Sequence, residues 1–484
     1  MDVVKRLAWP AAVLALALAL RLPALEHPSL WFDEAYSYCL AHEAPAAIVR
    51  DVRADAHPPL YFLLLHGWLG ARGGVAWARA LSVLCDLGTI ALMMAPAGRF
   101  AGVLLALAST MVVQARQVRM YALLTFVVML ALVALVRAIE RGGAGRWFAF
   151  ACAALAAALC HHAGAVAMVA LATLVPLEIA ARRGGDARAL ASRFALAAGA
   201  AGAAYAALWL EAAVYQLSST PLAARREVSL TGIFVDLTAG TLPAWPGARA
   251  ACVLAFGVPL VLSARAVQAR RAPWLAAQLW TFVLAGLVLT PVAPGGVFAN
   301  RTLFYLQPAV LALVAHGIGE AGRGKVAAGA ACVALLAGSC VNALTAPAPP
   351  YDWEAAARTL AKEAGPGALV VVHNPNSRLL LEAYLTLAWG NDAELTTIPY
   401  VAAGERFAGL GVDAWRAPLR ADYDRVERRL RESGRTRFFL VLSSPESAGA
   451  VAVRRACEAR WGPAQAVGEA NSPSVLKVRY NARP

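Results

Sequence analysis

Eleven apolar segments of about 15–20 residues run through this chain, and few folds can hold that much hydrocarbon surface. They lie near residues 7–25, 77–95, 100–115, 120–138, 147–160, 163–181, 194–210, 249–264, 274–293, 303–318 and 326–346. A helix needs about 20 predominantly apolar residues to cross the hydrocarbon core of a bilayer. Hydrophobic residues make up 60% of the 484, and charged residues only 15%. A soluble chain carries about 25% charged residues. The sequence therefore reads as a polytopic α-helical membrane protein of about 11 transmembrane helices. The first segment lacks the small-residue cleavage site of a signal peptide, so it is expected to remain as a span.

The formal charge of +14 invites a nucleic-acid partner, but the distribution excludes one. Much of the excess is arginine in short loops between apolar segments, which is the positive-inside signature. One short segment decides the sidedness. Pro59–Gly70 is apolar but has only about 12 residues, too few to span. If it lies on the surface as an interfacial helix, Arg99, Arg137/Arg141/Arg146, Arg182/Arg183/Arg188/Arg193, Arg265/Arg270/Arg271 and Arg323/Lys325 all face the cytoplasm. The N-terminus is then cytoplasmic, and residues 26–76, 116–121, 161–162, 211–248, 294–302 and 347–484 share the outer face. The Ala- and Arg-rich composition points to a bacterial inner membrane and a periplasmic C-terminal domain.

Two domains are expected. Residues 1–346 form the transmembrane domain, with an outer loop at 26–76 that carries acids. After the Pro-rich linker Ala346–Pro350 the composition turns soluble, and 351–484 reads as a small α/β domain. Its strands are expected at Ala368–His373, Arg437–Ser443 and Ser474–Tyr480, and its helices at Ser377–Trp389, Asp422–Ser433 and Ser447–Trp461. Of the eight cysteines, Cys85, Cys152, Cys160, Cys252 and Cys332 fall in apolar spans and read as packing residues. Cys39 and Cys457 would face the oxidising side.

The outer segments selected by this sidedness hold the chain's unusual polar residues. Asp33-Glu34 follows the first span, flanked by Trp31, Phe32 and Tyr36. Acids at a helix start are stabilised by its dipole, so the pair fits a capping role. At headgroup depth a partly desolvated carboxylate also fits a general base. Asp55-x-His57-Pro58-Pro59 reads as a turn entering a helix, and the prolines hold the preceding backbone extended. A metal site built from Asp55, His57 and His161 or His162 is conceivable, without tight ligand spacing to support it. Arg116, Arg119 and Tyr121 interrupt two apolar segments, and Arg301 with Tyr305 repeats the pattern. Arginine at the outer face runs against the positive-inside bias. It serves there either to snorkel towards lipid phosphate or to clamp a substrate phosphate by bidentate bonds. The His161-His162 turn is structural or a ligand.

Together, W-x-D-E-A-x-S at 31–37, D-x-H-P-P-L-Y at 55–61, R-M-Y at 119–121, the His turn and the outer N-R…Y at 300–305 resemble the GT-C membrane glycosyltransferases. The resemblance is to the bacterial members of glycosyltransferase family 39, relatives of protein O-mannosyltransferases and of the lipid A aminoarabinose transferase. It covers roughly residues 28–165 and 298–308. It implies a polyprenyl-phosphate-sugar donor and transfer with inversion. The essential loop carboxylate falls on Asp33, with Glu34 beside it, and the donor phosphate on Arg116, Arg119 and Arg301, with Tyr121 and Tyr305 nearby. A divalent metal, where relatives bind one, maps to Asp55, His57 and His162. The acceptor is an unidentified lipid, glycan or protein. Two other readings remain open at this point: a transporter or flippase of a polyprenyl-linked substrate, and a membrane-anchored scaffold whose α/β domain does the binding.

Overall fold

A computed structural model describes residues 2–53, 55, 57–182, 185–219, 229–242, 245–269, 274–292, 300–346, 351–364, 368–373, 375–389, 394–398, 420–442, 448–467 and 473–480. The chain forms two compact units. The first comprises Met1–Leu25, Ala44–Trp68 and Arg79–Ala346; the second comprises Glu26–Glu43, Leu69–Ala78 and Pro347–Pro484. The sequence assigns the whole 26–76 loop to the membrane part. The two units instead divide that loop, and the acid-bearing stretch belongs with the tail.

The first unit is helical, and helices cover most of each apolar segment. Among the described residues, seven helices are long and apolar enough to cross a membrane: Val75–Ala97, Tyr121–Arg141, His162–Ala180, Gly185–Ser218, Ala248–Gln268, Thr302–Glu320 and Gly322–Leu344. Ala8–Arg21, Ala144–Cys160 and Trp274–Thr290 are apolar but shorter. The protein is thus a multi-pass membrane protein. Leu60–Leu69 is a helix of 10 residues. At about 1.5 Å per residue it is half as long as the hydrocarbon core is thick.

The segment expected as one span at 100–115 is broken into Arg99–Leu107 and Ser109–Ala115, with Ala108 extended between them. A break inside hydrocarbon frees backbone carbonyls that water cannot reach. Arg21, fully buried, restores them. Its guanidinium donates to the carbonyls of Ala106 (2.9 Å), Leu105 (3.4 Å) and Ala17 (3.1 Å), and forms an ion pair with Asp86. The break also releases two hydroxyls for longer reach. Ser109 Oγ donates to the Ala239 carbonyl and accepts from Thr241 N, and Thr110 Oγ1 donates to the Asp236 carbonyl.

The same rule operates at Pro259, inside the Ala248–Gln268 helix. Proline has no N–H for the carbonyl four residues back. The Cys332 thiol donates to that carbonyl, Ala255 O, at 3.1 Å. On the other side of the same turn, a Cβ added to Gly317 would lie 1.7 Å from Pro259 O, so only glycine permits this helix crossing.

The second unit holds a five-stranded sheet in the order β2-β1-β3-β5-β4. Its strands are β1 (Leu369–His373), β2 (Glu394–Ile398), β3 (Arg437–Leu442), β4 (Ala464–Val467) and β5 (Ser474–Arg479). β1 runs parallel to β2 and β3, while β5 runs antiparallel to β3 and β4. The three expected strands form the centre. β2 and β4, absent from the sequence expectation, are the edges. On one face Leu369, Val371, Phe438, Leu440 and Leu476 pack against Val426 and Leu430 of Arg420–Glu432 and Val453, Cys457 and Trp461 of Ala448–Trp461. Cys39 and Cys457 are both free thiols. The acid-bearing helix Phe32–Leu40 packs along Pro375–Trp389 in this unit.

Asp86→Ala strands a buried guanidinium and is expected to cost about 3–5 kcal/mol. Thermal unfolding of detergent-solubilised protein measures it, and the double variant Arg21→Met/Asp86→Leu should recover most of the loss. In the second unit, burial pushes His373 at the end of β1 down to about 4. The neutral ring is the one that is buried, so its stabilisation is complete above the unfolded value of about 6.5 and is lost as pH falls from there towards 4, by up to about 3 kcal/mol. Amide exchange in β1 and β3, corrected for intrinsic rate, should quicken over that window. The step should vanish in His373→Gln; unchanged protection across the window in the parent protein would contradict the assignment.

Candidate functional site

Asp33 and Glu34 occupy the first turn of the Phe32–Leu40 helix, in the second unit. They have different surroundings. Glu34 is buried and its Oε2 accepts from Trp31 N at 3.4 Å, so it reaches back to cap its own helix. Asp33 is half-buried, and its backbone carbonyl accepts from Ser37 Oγ at 2.9 Å. Of the acidic pair, Glu34 reaches back to the helix start and Asp33 is the more exposed.

In the first unit the chain brings His57, Arg119, Tyr121 and His161 together. Pro58 and Pro59 precede the Leu60–Leu69 helix, and Leu63 N closes its first turn on Pro59 O, which fixes His57 just outside the helix. The turn at 116–120 ends Ser109–Ala115 and presents Arg119 before Tyr121–Arg141 begins. Arg119 is 3% exposed. Its NH2 donates to His57 Nε2 at 3.4 Å, and its guanidinium lies 5.8 Å from the centre of the Tyr121 ring. The His57 and His161 rings are 5.0 Å apart, and those of Tyr121 and His161 5.9 Å. A cation is thus held among aromatic and imidazole rings, where the electrostatics favour an anion brought to it.

The two histidines of the turn are set by their neighbours. His161 caps the His162–Ala172 helix, and its Nδ1 accepts from Ala163 N at 2.9 Å. His162 Nε2 meets Gln216 Oε1 at 2.9 Å, and Gln216 Nε2 donates to Val52 O at 2.6 Å. The second bond orients the Gln216 amide, so Nε2 of His162 carries the proton. This relay ties the His turn to the stretch that leads into Asp55 and His57. No motif in the sequence marks Gln216. It is a buried amide at the far end of Gly185–Ser219, a helix of 35 residues that outruns the apolar segment expected at 194–210.

These assignments bear on a metal. His57 Nε2 and His161 Nδ1 already accept N–H bonds and His162 Nε2 donates one. Among the described residues no group of three or more His, Cys, Asp or Glu stands together as a metal site requires. Asp55 is partly exposed, in a bend whose N–H bonds Val52 O.

The remaining expected residues lie elsewhere. Arg116, three residues before Arg119, donates to Pro23 O (2.9 Å) and Ala24 O (3.4 Å). Arg79, which no motif marks, donates to Leu25 O at 2.7 Å. Together they fix the exit of the first helix, where Ala24 takes a positive φ of 53° that a non-glycine residue rarely adopts. Tyr305 is buried in its helical surroundings, with its hydroxyl 2.9 Å from Thr290 Oγ1 and its ring beside Phe282. The backbone of Arg301 belongs to the 3-10 turn Asn300–Leu306, and its side chain lies outside the described residues.

No family model matches the chain, and no curated protein matches it. Solved structures do. ArnT from Cupriavidus metallidurans in the apo state superposes with a TM-score of 0.66 at 14% identity, covering 99% of both chains. ArnT bound to undecaprenyl phosphate gives 0.62 at 14% identity over 98% of both. The arabinofuranosyltransferase AftD from Mycobacteria gives 0.52 at 18% identity, over 98% of this chain and 40% of its own. The protein has the GT-C fold, a helical membrane part with a small α/β unit, in the form that ArnT shows along its whole length.

Proposed function

We propose that the protein is a glycosyltransferase that moves a sugar from a polyprenyl-phosphate donor to an acceptor at the outer face of a bacterial inner membrane. The observation that carries this reading is the buried Arg119 among His57, Tyr121 and His161. The likeness to ArnT, which has been captured with undecaprenyl phosphate, supports the choice of lipid carrier.

In this reading the polyprenyl tail stays in hydrocarbon and the donor phosphate sits on Arg119. Negative charge grows on that phosphate as the glycosidic bond breaks. A fixed guanidinium placed there lowers the barrier without reorganising at the moment of reaction. The acceptor nucleophile loses its proton to a carboxylate as it attacks the anomeric carbon, with inversion; the sequence resemblance assigns that base to Asp33. Tyr121 and His161 hold the guanidinium in place, and His57 orients it through Nε2. Arg116 acts at one remove, by fixing the backbone that leads to the acidic loop. Arg301 is assigned a second phosphate contact on the strength of the sequence resemblance.

A transporter of a polyprenyl-linked substrate would use ionisable groups inside the spans, and Arg21–Asp86 is such a pair. Its side chains are 0% and 4% exposed, and the guanidinium is shared among three carbonyls, so it reads as a structural tie. Proteoliposomes loaded with a polyprenyl-phosphate sugar separate the two readings: sugar transfer supports the enzyme, and exchange across the bilayer without transfer supports the transporter.

Asp33→Asn should reduce transfer by roughly 10²–10⁴-fold with expression intact. Glu34→Ala should retain transfer and cost about 1 kcal/mol of stability through the weakened helix start. Release of free polyprenyl phosphate in the presence of envelope acceptor measures both. Full activity in Asp33→Asn would end the assignment of the base.

A further inference from the structure

The acidic loop of the second unit is held by the C-terminal domain itself. Leu30 N, three residues ahead of Asp33, donates to the Tyr384 hydroxyl at 2.8 Å. Both residues are buried, Leu30 at 1% and Tyr384 at 4% exposed, so neither group has water as a ready alternative. Ser29 Oγ donates to Asp352 Oδ1 at 3.3 Å, and that same oxygen caps the Trp353–Glu363 helix through Ala355 N at 2.9 Å. Further along, the Tyr38 hydroxyl accepts from Gly74 N at 3.4 Å, and Cys39 Sγ donates to Leu379 O at 3.7 Å. Burial pushes the Tyr38 phenol up to about 12, so it remains a neutral hydroxyl across any working pH. These bonds reach the loop from both sides of Asp33 and from two helices of the tail.

We propose that the α/β unit positions the catalytic carboxylate, and that Tyr384, on the Pro375–Trp389 helix, is the positioning residue that sets the start of the Phe32–Leu40 helix and so the place of Asp33. This rests on the reading of Asp33 as the base. The logic is one of short leverage. A proton acceptor must stand within hydrogen-bond reach of the nucleophile, and a displacement of about 1 Å can cost a hundredfold in rate. Leu30 stands two residues before the Phe32–Leu40 helix with only the extended Trp31 between, so freedom at Leu30 passes to the first helical turn that carries Asp33. Donor binding, assigned to Arg119 in the other unit, does not depend on this bond. The tail then needs no sugar-binding surface of its own to be required for transfer.

Tyr384→Phe removes one oxygen and keeps the ring. In the full-length protein it should lower kcat about tenfold or more while leaving the KM for polyprenyl-phosphate sugar unchanged. Amide exchange over residues 29–40 should quicken several-fold, with β1 and β3 unaffected. Ser29→Ala should move both readouts in the same direction by less. Unchanged exchange over 29–40 with full kcat in Tyr384→Phe overturns the proposal. A parallel loss of donor binding overturns it too, because it marks general damage. The exchange readout is independent of activity, so an active Asp33→Asn protein would remove the base while leaving the latch separately tested.

Discussion

A charge or an open carbonyl inside hydrocarbon has only the protein to answer it, and the helical unit is organised around those answers. Arg21 is the centre of this arrangement. It joins Asp86 on one helix to carbonyls on the broken segment at 99–115 and on its own helix. Cys332 answers the carbonyl left by Pro259. Arg182 donates to Ile139 O and Asn342 to Leu242 O in the same manner. The ties at Arg21 and Cys332 let the backbone depart from a regular helix inside the membrane part. The break at Ala108 is the clearest case, since it delivers Ser109 and Thr110 to the 236–241 segment.

The arginines near the outer helix ends divide by what they bond. Arg79 and Arg116 are given to carbonyls at residues 23–25, where the chain leaves its first helix. Arg119 has rings and an imidazole nitrogen as neighbours. Arg79 and Arg116 fix the backbone at residues 23–25, and Arg119 is the guanidinium proposed for the phosphate. In the second unit the tail grips the acidic loop through Tyr384, Asp352 and Leu379.

Hydropathy alone marks where the apolar helices lie, because a bilayer demands long runs of apolar residues. The central strands announce themselves as VVV, FFLVL and SVLKV, runs with no polar alternative. β2 and β4 escape notice because edge strands of sequence ELTTI and AQAV carry no such signal. The break at Ala108 is invisible in the sequence for another reason: no proline or glycine marks it, and its stabilising group sits about 85 residues away at Arg21. Asp33 and Glu34, like Arg116 and Arg119, are near neighbours whose surroundings differ in the fold, so spacing alone treats them alike. Tyr305 matches the expected spacing after Arg301, yet its hydroxyl is engaged with Thr290.

The central claim is that Arg119 holds the phosphate of a polyprenyl carrier. The most direct test is phosphorus NMR of undecaprenyl phosphate titrated with full-length protein in nanodiscs. A shifted bound resonance should appear with the parent protein and with Asp33→Asn, and should be lost with Arg119→Gln. A bound resonance that survives in Arg119→Gln at the same affinity would contradict the account.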